Sequence, residues 1–278
     1  MVKTLCTALL GCAAAAFSFQ AAGEGNDGGW FTFASWNIGH QAMGRKCTPT
    51  IPPGEVDAYL RDYRDFLKPL DARVIGICEY SGEFSTNGPM RTADALFADY
   101  GIKLEGTRRG AQCNSLFLKG CTLKESFERE YPKRSQRVYY RLARVEMDGR
   151  EVCFVQTHLD WDLGKDDPRR AFREDQMRTI IADMEKEKYV VVAGDFNIAR
   201  RKGDTPDHAI EYDVFAEAGY TVANRGKFIT FPSWSQPSRE QPIDNIIVKG
   251  FEVRDVAVKA SDRLSDHKLI WCRLRFAD

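Results

Sequence analysis

From Trp30 onward, apolar residues gather in short runs that stop at turn residues. WFTFASWN, ARVIGICEY, VYYRLARVEM, EVCFVQTHL, KYVVVAGDF, IDNIIVKG, FEVRDVAV and HKLIWCRLRF are rich in Val, Ile, Phe, Tyr and Trp, the composition of strands. Apolar positions recur with a helical period over Glu55–Leu67, Arg91–Tyr100, Asp167–Glu187 and His208–Ala218. Helix and strand alternate through most of the chain, and some strands follow one another directly. No internal repeat and no Pro/Gly/Ser-rich linker interrupts the series. The pattern predicts an α/β fold with two packed sheets between helical layers, in one domain spanning 30–278.

The first residues break this pattern. Lys3 gives a positive start, Thr4 to Phe19 is apolar and small, and Ala21-Ala22 lead into a Gly-rich polar stretch. This layout predicts a signal peptide over 1–22 and a flexible lead-in over 23–29. The alternatives are a short buried helix, a retained anchor, or lipid attachment at Cys12 within Leu9-Leu10-Gly11-Cys12. The apolar run is short for a full bilayer span. The expected location is secreted or periplasmic, with no transmembrane segment in the mature chain.

That location bears on the cysteines, of which six follow the leader. Cys78, Cys153 and Cys272 sit inside apolar runs and read as buried thiols. Cys47, Cys113 and Cys121 lie in more polar surroundings, and Cys113 with Cys121 is the first disulfide to expect in an oxidising compartment. No C-x-x-C or Cys/His cluster points to zinc.

With 278 residues, 43% of them hydrophobic, the chain can bury a sizeable core. Lys+Arg and Asp+Glu both number 40, so the formal charge is zero. A broadly basic surface is thereby excluded, and any nucleic-acid footprint has to be local.

Residues able to do chemistry collect where the apolar runs stop. Asn37 closes the first, Glu79 the second, and His158 lies in Thr-His-Leu-Asp at the end of EVCFVQ. Asp195 and Asn197 follow KYVVVA in Gly-Asp-Phe-Asn, two residues apart, so both can point the same way on an extended chain. Asp244 opens IDNIIVK, and Asp266-His267 open the last strand. Adjacent residues of a strand face opposite sides, so Asp244 rather than Asp266 is the carboxylate expected to orient His267. The chain has only four histidines, and two of them stand in these strings. Each string alone also reads as an ordinary turn or strand end.

Taken in order, Ser-Trp-Asn-Ile-Gly, Ile-Cys-Glu-Tyr, Thr-His-Leu-Asp, Gly-Asp-Phe-Asn, Pro-Ile-Asp-Asn-Ile and Ser-Asp-His-Lys-Leu resemble the endonuclease/exonuclease/phosphatase superfamily, from about Trp30 to Phe276. The resemblance implies a four-layer α/β sandwich, two facing mixed sheets flanked by helices, with the site at one sheet edge. It implies a metal-dependent phosphoric ester hydrolase, using Mg2+, with Mn2+ or Ca2+ as alternatives. Glu79 is then similar to the main metal ligand, with Asn37 and Asp266 beside it. His158 resembles the histidine on the scissile phosphate, Asp195 and Asn197 the pair that positions nucleophile and phosphate, and His267 the base or phosphate contact oriented by Asp244.

No subfamily is matched. Gly39 stands where abasic-site endonucleases carry an acidic residue, and Pro232-Ser233-Trp234 is separated from Asp244, unlike the inositol phosphatases. Arg200, Arg201, Lys202 and Trp234 are candidate substrate contacts. Arg169, Arg170 and Arg173 read as a solvent-facing helix surface. The expected partner is a phosphate ester. Nucleic acid is placed first; a lipid or small-molecule ester is the rival, and a catalytically silent extracellular binding module the alternative of another class. The identity of the base, His267 or Asp195, and the number of metals stay open.

Overall fold

The computed structural model describes residues 28–39, 53–80, 96–106, 113–132, 138–161, 169–199, 210–232, 240–261 and 264–278. Among the described residues, twelve strands form two six-stranded sheets. The first runs β11(Phe251–Lys259), β12(Leu269–Phe276), β1(Phe31–Asn37), β2(Val74–Cys78), β4(Asn114–Leu118), β3(Ile102–Leu104). The second runs β5(Thr122–Glu130), β6(Tyr139–Met147), β7(Arg150–His158), β8(Tyr189–Asp195), β10(Asp244–Lys249), β9(Thr221–Val222). Within each sheet one pair is parallel, β1 with β2 and β7 with β8. Both sheets are therefore mixed.

The inner faces of the sheets pack together around Phe33, Val74, Leu116, Phe154, Val191 and Ile270, all buried. Phe33 and Phe154 stack across this interface at 6.0 Å. On the outer face of the first sheet, α1(Pro53–Leu67) buries Leu60, Tyr63 and Leu67 against Trp36 and Ile77. On the outer face of the second, α2(Arg169–Asp183) and α3(Asp213–Glu217) bury Met177, Ile180 and Phe215 against Val190, Val192 and Phe196. The result is the four-layer α/β sandwich, with strands buried on both faces and hence written as near-continuous apolar runs.

A polar seam interrupts the inter-sheet core just below one edge. Gln156 Nε2 donates to Ser35 Oγ at 3.1 Å and to Cys78 Sγ at 3.1 Å, joining β7 to β1 and β2. Gly76 makes room for this side chain, since a Cβ there would lie 1.9 Å from Gln156 Oε1.

The eight strands read from sequence are present. β3, β4, β5 and β9 were not expected: β5 is an edge strand with exposed charges, and β4 is a five-residue run too short to show a period. Helix Arg91–Tyr100 falls partly outside the described residues. The Cys113–Cys121 disulfide is not formed, and Cys121 carries a free thiol. β4 lies between these residues, and its four extended steps alone carry the chain roughly 13 Å, against the ~7 Å limit for bridging. Cys78, Cys153 and Cys272 are buried thiols. Arg173 does not face solvent; it is fully buried.

Candidate active site

Strand direction assembles the site. β1 and β2 run in parallel to Asn37 and Cys78, which are register partners. β7 and β8 run in parallel to His158 and Asp195, also partners. β10 runs the other way and opens at Asp244, opposite Asp195. The turn before β12 carries Ser265, Asp266 and His267 back to the end of β1. There Ser265 Oγ donates to the Asn37 carbonyl at 2.6 Å, and Trp36 Nε1 donates to the His267 carbonyl at 3.0 Å.

The backbone at these ends is specialised. Glu79 has φ 57°, a left-handed conformation that costs a non-glycine residue about 1–2 kcal/mol. Gly194, with φ 139°, precedes Asp195, and a Cβ there would lie 1.8 Å from the Thr157 carbonyl oxygen. Only glycine lets β7 and β8 approach so closely beside the site.

The side chains meet. Asn37 Nδ2 donates to Glu79 Oε1 at 3.2 Å and to Asp195 Oδ2 at 3.0 Å. Its Oδ1 accepts from the Gly39 amide at 3.0 Å, so the donor end of the amide faces the carboxylates. His158 Nε2 lies 3.6 Å from Asp195 Oδ2, and its Nδ1 lies 3.9 Å from Glu79 Oε1. His267 Nε2 lies 3.8 Å from Asp195 Oδ2, and its Nδ1 is 2.9 Å from Asp244 Oδ2. The carboxylate hydrogen-bonded to the ring is thus Asp244. Asp266 is half-buried, enters through its turn, and adds its charge to the field at His267.

At Asn197 the turn reading of Gly-Asp-Phe-Asn holds and the extended one does not. β8 ends at Asp195, and Asn197 takes φ 52°, so strand alternation does not carry to it. Its amide N–H donates to Asp195 Oδ1 at 2.8 Å, an Asx turn, and its Nδ2 donates to the Leu159 carbonyl at 2.9 Å. Asp195 therefore uses one oxygen for the turn and offers the other to the cluster. Arg200, Arg201, Lys202 and Trp234 lie outside the described residues.

Burial pushes the Asp195 carboxyl up to about 6, and the Asp244 charge adds to the rise, against the pull of His158 and His267. Burial alone would lower His267, but Asp244, with Asp195 and Asp266, overrides it and raises the ring to about 10. Burial holds the neighbouring Cys78 thiol well above its ordinary range, so it stays protonated.

The donor set suits a hard divalent cation, which favours carboxylate and amide oxygens. Like charges on Asp195 and Asp244 are held close, and Asp244 Oδ1 is buried with no hydrogen-bond partner. Asp195, Asp244 and His267 bring one ligand atom each within 4.8 Å of one another. In that trio, however, Asp244 Oδ2 and His267 Nδ1 are turned toward each other, and a cation between them would break their bond. Glu79, 16% exposed at its side chain, is more open to solvent than Asp195 or Asp244, at 3% and 1%.

Residues that sequence did not single out support the cluster. Phe231 packs its ring 4.9 Å from that of His267. Thr230 Oγ1 accepts from the Asp244 amide at 3.0 Å, and the Thr230 carbonyl accepts from the Lys268 amide at 2.7 Å. These contacts pin Asp244 and His267 to one segment and leave no periodic trace in the sequence.

The Endonuclease/Exonuclease/phosphatase family matches residues 34–267, which contain every one of these side chains. The chain belongs to this family. Its members are hydrolases acting on phosphoester bonds. No curated protein matches the chain by sequence. Among solved structures, D. rerio TDP2 humanized by 14 mutations is similar at 16% identity and TM-score 0.67, over 89% of this chain and 99% of that one. The human Nocturnin catalytic domain, solved with a bound sulfate anion, is similar at 18% identity and TM-score 0.62, over 89% and 95%. A family protein from Bacteroides thetaiotaomicron is similar at 16% identity and TM-score 0.62, over 90% and 98%. At these identities the likeness speaks for the fold.

Proposed function

We propose that this family member is a secreted phosphoesterase that uses a divalent cation, Mg2+ first, with Mn2+ or Ca2+ as alternatives, to hydrolyse a phosphate ester by in-line attack of water. The observation that carries the reading is the convergence of Asn37, Glu79, His158, Asp195, Asp244 and His267 at one edge of two sheets. A phosphate ester is anionic and repels a nucleophile, so its site needs positive charge, an oriented water and a proton acceptor.

Glu79 is the principal cation ligand in this reading, with Asp266 near it. Asn37 offers Oδ1 only with its amide reversed from the orientation seen here. The cation, when bound, neutralises phosphate charge and polarises the ester. His158 donates to a phosphate oxygen. Both nitrogens of His267 face carboxylates, at 2.9 and 3.8 Å, which favours a protonated ring that donates from Nε2. Asp195 Oδ2 then takes the proton of the attacking water. Asp244 orients His267, and Asn197 fixes the turn that aims Asp195.

A nuclease is the first substrate branch. It is supported by the similarity to D. rerio TDP2 complexed with single strand DNA product, at 16% identity and TM-score 0.65 over 88% of this chain and 99% of that one. A lipid or small-molecule phosphodiesterase or phosphatase is the rival, favoured by the zero net charge. Residues 1–22 as signal peptide and 30–278 as one domain belong to the same proposal. Among the described residues no helix is long and apolar enough to cross a membrane.

The test is turnover of bis-p-nitrophenyl phosphate with Mg2+, abolished by EDTA, followed by a panel of plasmid DNA, single-stranded oligonucleotides, sphingomyelin and inositol phosphates. Glu79→Gln should raise the Mg2+ concentration that gives half-maximal rate. A folded protein that turns over none of these with any divalent cation is instead a binding module.

A further inference from the structure

Behind the site a second polar cluster is sealed inside the protein. Arg173 on α2 is 0% exposed, and its Nη2 donates at 2.8 Å to Glu211 Oε1, on a residue only 4% exposed. Arg173 Nη1 also donates to the Asp160 carbonyl at 3.4 Å. Nearly one turn along α2, Gln176 Nε2 donates to Asp160 Oδ2 at 2.8 Å, and its Oε1 accepts from the Asp160 amide at 3.2 Å. Asp160 is thus held by its N–H, its carbonyl and its carboxylate at once.

The next residue back is held from the other side. The Leu159 amide donates to the Asp195 carbonyl at 2.9 Å, and the Leu159 carbonyl accepts from Asn197 Nδ2 at 2.9 Å. His158 directly precedes Leu159. Glu211 belongs to the 3-10 turn Ile210–Tyr212, whose Tyr212 packs 5.5 Å from Phe196, the residue between Asp195 and Asn197. One buried network therefore ties α2 and this turn to the segment carrying His158 and the Asn197 turn.

Stability is a weak reason for such a pair. Exchanging both charges of a buried ion pair for apolar groups is often neutral or stabilising, whereas removing one partner leaves an uncompensated charge. We propose that Arg173, Glu211, Gln176 and Asp160 are a positioning unit that sets His158 and Asn197 against Asp195. The inference rests on the reading above that His158 donates to the phosphate and Asp195 takes the proton of the attacking water. None of the four is a catalytic residue; they act through the segment they hold.

The test uses the full chain and the double variant Arg173→Met/Glu211→Leu, which removes both charges together. Its thermal midpoint should stay close to the wild-type value while kcat on bis-p-nitrophenyl phosphate falls by about 100-fold. KM and the Mg2+ requirement should be unchanged. With only four histidines, the imidazole NMR spectrum is sparse; in metal-free protein the His158 resonances should shift and those of His267 should hold. Asp160→Asn, which keeps an acceptor for Gln176, should retain turnover that Asp160→Ala loses. If the double variant does not fold, Gln176→Leu leaves the ion pair whole and carries the same readouts. A folded variant with full kcat overturns the proposal, and so does lost turnover with unmoved His158 resonances. If the wild type turns over no ester, the hydrolase reading fails, and the His158 shift still decides whether the network positions that ring.

Discussion

Asn37 and Asp195 end strands in different sheets and are joined by a 3.0 Å hydrogen bond from Nδ2 to Oδ2. The same nitrogen donates to Glu79, so one amide separates two carboxylates. Asn37→Asp keeps the shape and turns the donor into a third acid. The metal-free variant should lose about 1–3 kcal/mol of stability, and Mg2+ should raise its melting temperature more than it raises the wild type's. Scanning fluorimetry with Mg2+ and with EDTA checks this; equal Mg2+ shifts would take Asn37 away from the cation.

Asp244 raises His267 from its ordinary 6.5 to about 10 in the fold. A folded value above the unfolded one means the pair's contribution is fully present below about pH 6.5 and is lost as pH climbs through about 10. Asp244→Asn should flatten that part of the decline in urea midpoint, compared with wild type across the same window. It should also slow turnover by roughly 100-fold or more. Parallel slopes in the two proteins would contradict the pairing.

Gly194→Ala places a Cβ 1.8 Å from the Thr157 oxygen, at a φ of 139°. The expected loss exceeds about 3 kcal/mol, because the strain adds to a backbone clash that no rotamer relieves. Urea unfolding measures it. Near-native stability would mean that β7 and β8 can separate beside the site without penalty.

Cys121→Ser should change stability by no more than about 0.5 kcal/mol, since the half-buried thiol is free. Loss of a disulfide would cost about 2–5 kcal/mol. Alkylation of unreduced protein followed by mass spectrometry should also find Cys121 modified once the chain is unfolded.

The apolar runs revealed the interior strands because β1, β2, β7, β8 and β10 are buried on both faces. The same burial makes the polar residue ending each run conspicuous, which is how Glu79, His158 and Asp195 could be picked out. Edge strand β5 carries Lys124, Glu125, Glu128 and Arg129 and gave no such contrast. Arg173 was misread from its charge alone, although its position could have placed it. Residues 173, 176, 177 and 180 are spaced as one helix face, and Met177 and Ile180 on that face are core residues. Gly-Asp-Phe-Asn allowed both an extended segment and a turn, and the left-handed backbone at Asn197, which ends the alternation, decides for the turn.

The matched rungs at which β1 and β2, and then β7 and β8, come to an end have a consequence for how this chain can vary. Adding or deleting one residue inside any of these strands would invert every side chain beyond that point, turning Asn37, His158 or Asp195 into a wall. The two-residue Asp148-Gly149 hairpin between β6 and β7, at the opposite rim, has no such duty. Changes of length are therefore confined to the turns, and the spacing of the reactive groups is counted in hydrogen-bonded rows.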